Sequence, residues 1–433
     1  MSVLVLLVGR NPAPNWVVFQ SLAVSGAPAD LRPTSVVLIH SPQTAIIAER
    51  LRTNIAKNGV PARQIELGDP RDAVTMQRDI ELALEQHSSG APVHLNYTGG
   101  TKQMAVSAYS ATKEAERRLG RADYTYSYLD PANFCLRFDN RERYPPAPLD
   151  LRGLVNVPLG ELFRLHGRDW ANGANGSTKR RWTDSCAAVW ELMAGPDEGR
   201  AAYGNWLKTA MSQDTGSVRK LPRLDDEHGF VFPSDGLLAP VMAAMCSEAN
   251  LPAGQASLSW KEFFERQGAF NKDQRESIWS DFAGFFHGKW LEGWLHHRLT
   301  SLVRDDFRGK IERNVVVEPS TVGSTAELDV VLTYGYQLFV FSCTTSQSLG
   351  LVKSKGFEVR QRAAQFGGDE ARAILVSLLP QFGRRDDDAS VANLRADLTS
   401  EDDQDSRMRV WGIRELRDLD HTWGSLLEEE RLA

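Results

Sequence analysis

At 433 residues the chain is too long for one ordinary hydrophobic core, so two or three domains are expected. Hydrophobic residues make up 42% and charged residues 24%, the balance of a soluble globular protein rather than a disordered one. The formal net charge of -6 argues against holding nucleic acid by global charge, so any such contact must come from local patches or metal ions.

The chain opens on VLVLLV (3–8), a six-residue apolar run. It is too short to span a membrane, has no basic region before it and meets Arg10 at once, so it reads as a buried strand rather than a signal peptide. VLVLLVG (3–9), SVVLIHS (35–41) and PVHLNYTG (92–99) are continuous apolar runs of the kind buried on both faces of a parallel sheet. Segments 44–59, 74–88 and 101–120 have helical spacing, with Gly59 and Gly120 placed as helix C-caps. ADYTYSYLD (122–130) and NFCLRFD (133–139) read as a closing hairpin. The sum is an open, doubly wound α/β domain over 1–148, ending at the proline-rich RYPPAPLDLRG (143–153).

Residues 149–267 read as a small mixed connector, with short helices at 157–167, 186–195 and 239–250. The C-terminal domain, 268–433, starts with a long helix or helix pair (271–303) interrupted at Gly288. Strands follow at 314–320, 326–334 and 336–346, then a helix at 350–366, a strand at 372–380, a polar stretch flanking a short helix at 383–407 and an edge strand near 408–416. No apolar run is long enough for a membrane span. Cys135, Cys186, Cys246 and Cys343 show no CxxC spacing, which predicts free thiols in a reducing cytoplasm.

Two turns stand out in the first domain. Thr98-Gly99-Gly100-Thr101-Lys102 joins a strand end to a helix start. Ligands of open α/β sheets bind beyond the carboxyl ends of the strands, and a helix N-terminus suits phosphate. The glycines would admit ligand close to the backbone, and Thr101 is also a natural N-cap. Gly9-Arg10-Asn11-Pro12 ends the first strand at the same sheet edge. Neither turn is GxGxxG or GxxxxGK[ST], which weakens dinucleotide and P-loop readings.

LVGRNPAPN (7–15) together with LNYTGGTKQM (95–104) resembles the CARF domain, the CRISPR-associated Rossmann-like sensor of cyclic oligoadenylates. The resemblance implies a homodimer with the ligand, most often cyclic tetra-adenylate, on its two-fold axis. Carried over, Gly9, Arg10, Asn11 and Asn15 would line the pocket from one turn. Thr98, Gly99, Gly100, Thr101 and Lys102 would line it from the other, with Ser41 as a further candidate.

In the C-terminal domain, Glu327 and Asp329 lie two apart on an apolar strand and so share one face. Acids there need compensation if buried, and Mg²⁺ or Mn²⁺ would supply it; the alternative is a solvated pair. The order of a helix acid (Glu292), a strand acid and a neighbouring apolar strand resembles a PD-(D/E)xK restriction-endonuclease-like core, and the whole arrangement resembles the CARF–nuclease effectors. That implies Glu292, Asp329 and the Cys343 backbone carbonyl as metal ligands, with Glu327 as the second strand acid. The family's strand lysine is replaced, since Ser342-Cys343 is followed by Thr344-Thr345. Lys355 or Lys353 on the next helix is expected to supply the missing charge, and Glu358 lies one turn further on.

Adjacent His296 and His297 diverge by about 100° on a helix and are expected to pack or face solvent. Trp279, Trp290, Trp294, Phe282, Phe285 and Phe286 are expected in the core. Arg298, Arg304, Arg308, Lys310, Arg313 and Lys179-Arg180-Arg181 are candidate phosphate contacts. The functional expectation is a cyclic oligoadenylate-activated, metal-dependent nuclease of type III CRISPR defence, acting on DNA or RNA. The rivals are a non-catalytic sensor with an inactivated nuclease domain, and a ring nuclease that degrades the cyclic ligand without metal.

Overall fold

The computed structural model describes residues 2–432 apart from 24–26, 69–71, 89, 122, 172–181, 212–220, 223, 225–229, 232, 234–235, 252–256, 304–308, 321–322, 381–389 and 400–406. The N-terminal part contains β1 (Ser2–Val8), α1 (Ala13–Ala23), β2 (Pro33–His40), α2 (Ala45–Lys57), β3 (Ala62–Glu66), α3 (Ala73–Ser88), β4 (Val93–Asn96), α4 (Lys102–Leu119), β5 (Tyr124–Asp130) and β6 (Cys135–Phe138). The strands form one sheet in the order β3-β2-β1-β4-β5-β6, parallel except for the β5–β6 hairpin. Every residue of β1 is buried because both faces are covered. Leu4, Leu6 and Val8 face a core with Trp16, Phe19 and Leu51, while Val3, Val5 and Leu7 face one with Ile80, Met104 and Ala108. Strand order reverses between β1 and β4, so the turns leaving these strands flank the crevice where such folds take ligands.

Periodicity did not mark α1 or β3. APNWVVFQSLA is apolar nearly all round because α1 is buried on nearly every side, so it shows no amphipathic stripe. ARQIE lies at the sheet edge, partly exposed along its length, and lacks the apolar run of a central strand.

The middle of the chain holds α5 (Leu159–Leu165), β7 (Arg168–Trp170), α6 (Thr183–Ala194), α7 (Asp197–Met211), β8 (Phe230–Val231), α8 (Ala239–Glu248), β9 (Ser257–Leu258) and α9 (Trp260–Arg266). It continues into α10 (Lys272–Gly284), a π-helical turn (Phe285–Lys289) and α11 (Trp290–Leu302). Then come β10 (Gly309–Pro319), β11 (Ala326–Tyr334), β12 (Gln337–Thr344), α12 (Leu349–Gly367), β13 (Arg372–Ser377), α13 (Val391–Leu398), β14 (Met408–Trp411), α14 (Ile413–Arg417) and α15 (Leu419–Leu432). The second sheet runs β14-β13-β12-β11-β10-β7, with β12–β13–β14 parallel and the rest antiparallel.

Among its described residues, the 149–267 segment packs into the apolar clusters of the two sheets. β7 is an edge strand of the second sheet, and Trp190 of α6 stacks on Trp294 of α11 at 4.0 Å. One apolar cluster joins α6, α8, α9, α10 and α11 to one face of that sheet. The opposite face shares a cluster with the first sheet through Leu151–Leu165. Arg152, fully buried at this seam, lies 3.7 Å from the Phe134 ring, donates to Gln337 Oε1 at 2.9 Å and pairs with Asp150 at 3.0 Å. Among the described residues, no helix is long and apolar enough to cross a membrane.

Candidate functional site

The turns after β1 and β4 open into a cavity of about 1340 Å³. Gly9, Arg10, Asn11, Ser41, Thr98, Gly99, Gly100 and Thr101 line it, whereas Asn15 and Lys102 are not among the lining residues. Asn15 is fully buried on α1, and its Nδ2 donates to the Leu7 carbonyl at 2.9 Å. Lys102 is exposed at the start of α4. The glycines serve turn-to-turn contact as much as ligand approach. A Cβ at Gly99 would collide with the Leu7 carbonyl, and one at Gly9 would lie 2.9 Å from the Gly100 nitrogen.

The hydroxyls at this edge hold the turns together. Thr98 Oγ1 accepts the Leu129 N–H at 2.6 Å, and Thr101 Oγ1 caps α4 by accepting the Met104 N–H at 3.1 Å. Ser41 shares a 3.3 Å hydrogen bond with Thr44, whose hydroxyl reaches the Val8 carbonyl at 3.1 Å.

The cavity wall also includes residues that the motifs did not point to. Tyr97 and Tyr128 stand beside the Thr98 turn with ring centroids 5.8 Å apart. Tyr97 follows β4 by one residue, which was the signal available for it, whereas Tyr128 lies within β5. His166, at the end of α5, has a buried Nε2 with no hydrogen-bond partner, and burial pushes its pKa down to about 4. Glu370 enters from the C-terminal part and accepts from Asn11 Nδ2 at 3.1 Å. Nothing in sequence order links these residues to the turns.

The second constellation lies at the end of β12. Asp329 Oδ2 accepts the Cys343 N–H at 2.7 Å and the Ser342 hydroxyl at 3.2 Å. Lys355, on the exposed side of α12, donates from Nζ to the Cys343 carbonyl at 3.3 Å. Burial pushes the Glu292 carboxyl up to about 8, and the nearby Asp329 charge pushes the same way. Burial likewise raises Asp329. Glu327 is exposed on the same face of β11, and Lys289 adds a cation that the sequence reading missed.

The route of α11 explains the cluster. Gly288 adopts φ 122° in the π turn, and a Cβ there would sit 3.1 Å from Thr345 Oγ1. Its lack of a side chain lets the helix start against the end of β12, which brings Glu292 beside Asp329. Thr344, where the resemblance led one to expect a lysine, is buried and accepts the Ser346 N–H at 3.2 Å.

Other candidates lie elsewhere or are already paired. Lys353 pairs with Asp397 at 2.5 Å, and Glu358 with Arg362 at 3.7 Å. Arg298 pairs with Asp420 at 3.0 Å and Lys310 with Glu312 at 2.6 Å. Arg313 lines a small crevice with Cys186 and Asn314. His297 is exposed, and the six aromatic residues of α10–α11 are buried in the core as expected. Arg304, Arg308 and Lys179-Arg180-Arg181 lie outside the described residues.

Among the described residues, no group of three or more His, Cys, Asp or Glu side chains is placed to hold a metal. The donor set is two desolvated carboxyls and a backbone carbonyl. That is still compatible with Mg²⁺ or Mn²⁺, which keep water and substrate-phosphate ligands.

No protein-family model and no curated protein matches the sequence. Solved structures do. The chain superposes on protein VC1899 from Vibrio cholerae with a TM-score of 0.66 at 17% identity, covering 99% of this chain and 98% of that one. It superposes on Can2 from Sulfobacillus thermosulfidooxidans, solved in complex with cyclic tetra-adenylate, with a TM-score of 0.65 at 15% identity, covering 99% of each chain. The chain has the fold of Can2 over essentially its whole length. The likeness is one of fold, and it spans both sheets and the segment between them. It takes in both the sheet built on β1–β6 and the sheet built on β10–β14.

Proposed function

We propose that the chain is a cyclic oligoadenylate-activated nuclease that cleaves phosphodiester bonds in DNA or RNA. Cyclic tetra-adenylate would occupy the β1/β4 cavity at the two-fold axis of a homodimer, held by the backbone of Gly9 and Thr98–Thr101 with Arg10 and Asn11.

The observation that carries the catalytic half is the Lys355 ammonium, 3.3 Å from the Cys343 carbonyl on the strand end that also binds Asp329. Only the position of that charge matters for stabilising a phosphorane, so a lysine from α12 does the work of the strand lysine that Thr344 replaces. Glu292, Asp329 and the Cys343 carbonyl would hold Mg²⁺ or Mn²⁺, which supplies Lewis-acid activation of water and the scissile phosphate when bound. Asp329 is oriented for this by the Cys343 N–H and the Ser342 hydroxyl.

A second reading, a sensor without nuclease chemistry, draws on the buried, hydrogen-bonded Thr344 and on the absence of a third closely placed acid among the described residues. One assay separates the two. Purified protein is incubated with cyclic tetra-adenylate, Mn²⁺ or Mg²⁺, and single-stranded DNA, plasmid and RNA in parallel. The nuclease reading expects cleavage that needs both ligand and metal and falls to background in Asp329→Ala. Ligand binding with no cleavage of any substrate would establish the sensor. Metal-independent loss of the cyclic ligand would favour a ring nuclease.

A further inference from the structure

The helix that carries Lys355 also reaches the ligand cavity. α12 spans Leu349 to Gly367, about 28 Å at 1.5 Å per residue, and runs straight into the turn Gly368–Glu370. That turn lies against the β1 turn. Gly368 adopts φ 72°, and a Cβ there would collide with the Asn11 amide. Asn11 Nδ2 donates to Glu370 Oε2 at 3.1 Å. The amide is held in this orientation because its Oδ1 accepts the Ala13 N–H at 3.1 Å.

The cations near Glu370 are engaged with other groups. Arg407 pairs with Asp369 at 2.8 Å, and Arg372 donates to the Glu370 main-chain carbonyl at 3.1 Å. A buried carboxylate is thus tied through its side chain to a residue of the proposed phosphate site.

We propose that Glu370 is an anion-sensitive latch. A phosphate entering beside the β1 turn takes the Asn11 amide and repels the Glu370 carboxylate, and the released turn moves α12 and, with it, Lys355. This rests on the reading that the cavity takes a cyclic oligoadenylate. The helix suits the role of a rigid lever. Val352, Val359, Ala363 and Phe366 pack along one side of it, and Phe366 meets Phe163 of α5 at 5.8 Å. Lys355 lies about 20 Å up the helix from the latch.

If latch and ligand compete for Asn11, coupling is reciprocal, so weakening one strengthens the other by the same factor. A hydrogen bond to a charged group predicts about a tenfold effect or more.

The test uses the full chain with Glu370→Ala and Glu370→Gln. Calorimetry with cyclic tetra-adenylate gives affinity, and a fluorescent single-stranded DNA in Mn²⁺ gives cleavage with and without ligand. The expected result is about tenfold tighter binding in Glu370→Ala, a smaller gain in Glu370→Gln, and raised cleavage without ligand in both. Glu370→Gln keeps the shape and loses only the charge, so it decides the matter even where Glu370→Ala fails to fold. Wild-type affinity in both variants overturns the latch and leaves the sensor reading standing. Tighter binding without a rise in ligand-free cleavage overturns the link to Lys355. No binding by the wild type removes the sensor reading and the latch with it.

Discussion

At the residue scale, what each lysine can do is set by its partner. Lys353 is neutralised by Asp397, whereas Lys355 points its charge at the Cys343 carbonyl. Lys355→Ala should lower the ligand-activated cleavage rate about 10²- to 10³-fold, the usual loss of one preorganised charge or donor, with Lys353→Ala near wild type. Initial rates at saturating ligand and metal check this, and equal effects of both substitutions would contradict the assignment.

Two buried histidines give a pH signature. Burial lowers the pKa of His94 to about 3 and of His166 to about 4. The unfolded chain binds a proton near 6.5, so the stability that each histidine contributes is complete above that pH and is lost as pH falls toward its folded value. Over 1.5 units this is about 2 kcal/mol per histidine at pH 5. Glu292, raised to about 8, works in the opposite direction across the same window. The measurement is therefore a difference. Urea titrations of metal-free His166→Gln should lose about 2 kcal/mol less than wild type between pH 7 and pH 5.

At the element scale, the decisive features are places where helices are forced off their ideal path. The π turn before α11 exists because Gly288 adopts φ 122° against Thr345. Gly288→Ala should destabilise the chain by about 1–3 kcal/mol, and it should reduce cleavage more than ligand affinity because Glu292 moves away from Asp329. Melting temperature, cleavage rate and ligand affinity measured together test that split. The Gly288 interruption was legible in sequence because glycine inside a helical pattern marks a break. The approach to Thr345 was not, because it depends on how α11 crosses the second sheet.

At the scale of the whole molecule, the two sheets are not separate bodies. One apolar cluster runs from Leu4, Leu6 and Phe19 through Leu162 and Phe163 to Val340 and Phe366. Arg152 is the polar anchor of that seam, and Arg152→Ala leaves Asp150 and Gln337 without it. A cost of about 3 kcal/mol is expected, visible as a lower urea midpoint for both parts in one transition. Unfolding in two well-separated steps would show the seam to be weaker than its burial implies.

The turns LVGRNP and NYTGGTK, the parallel order of the first sheet and the acids Glu292 and Asp329 could be read from sequence, because they depend on local pattern. Continuous apolar runs specify buried strands, glycine pairs specify turns, and residue spacing specifies faces. The tertiary structure decided which of these meet. It turned Asn15 inward to the Leu7 carbonyl, set Lys355 on the Cys343 carbonyl and Lys353 on Asp397, packed the 149–267 segment against both sheets and placed Glu370 on Asn11. Residues 359 positions apart share a hydrogen bond there only because two sheets pack through one core, and no local pattern encodes that distance.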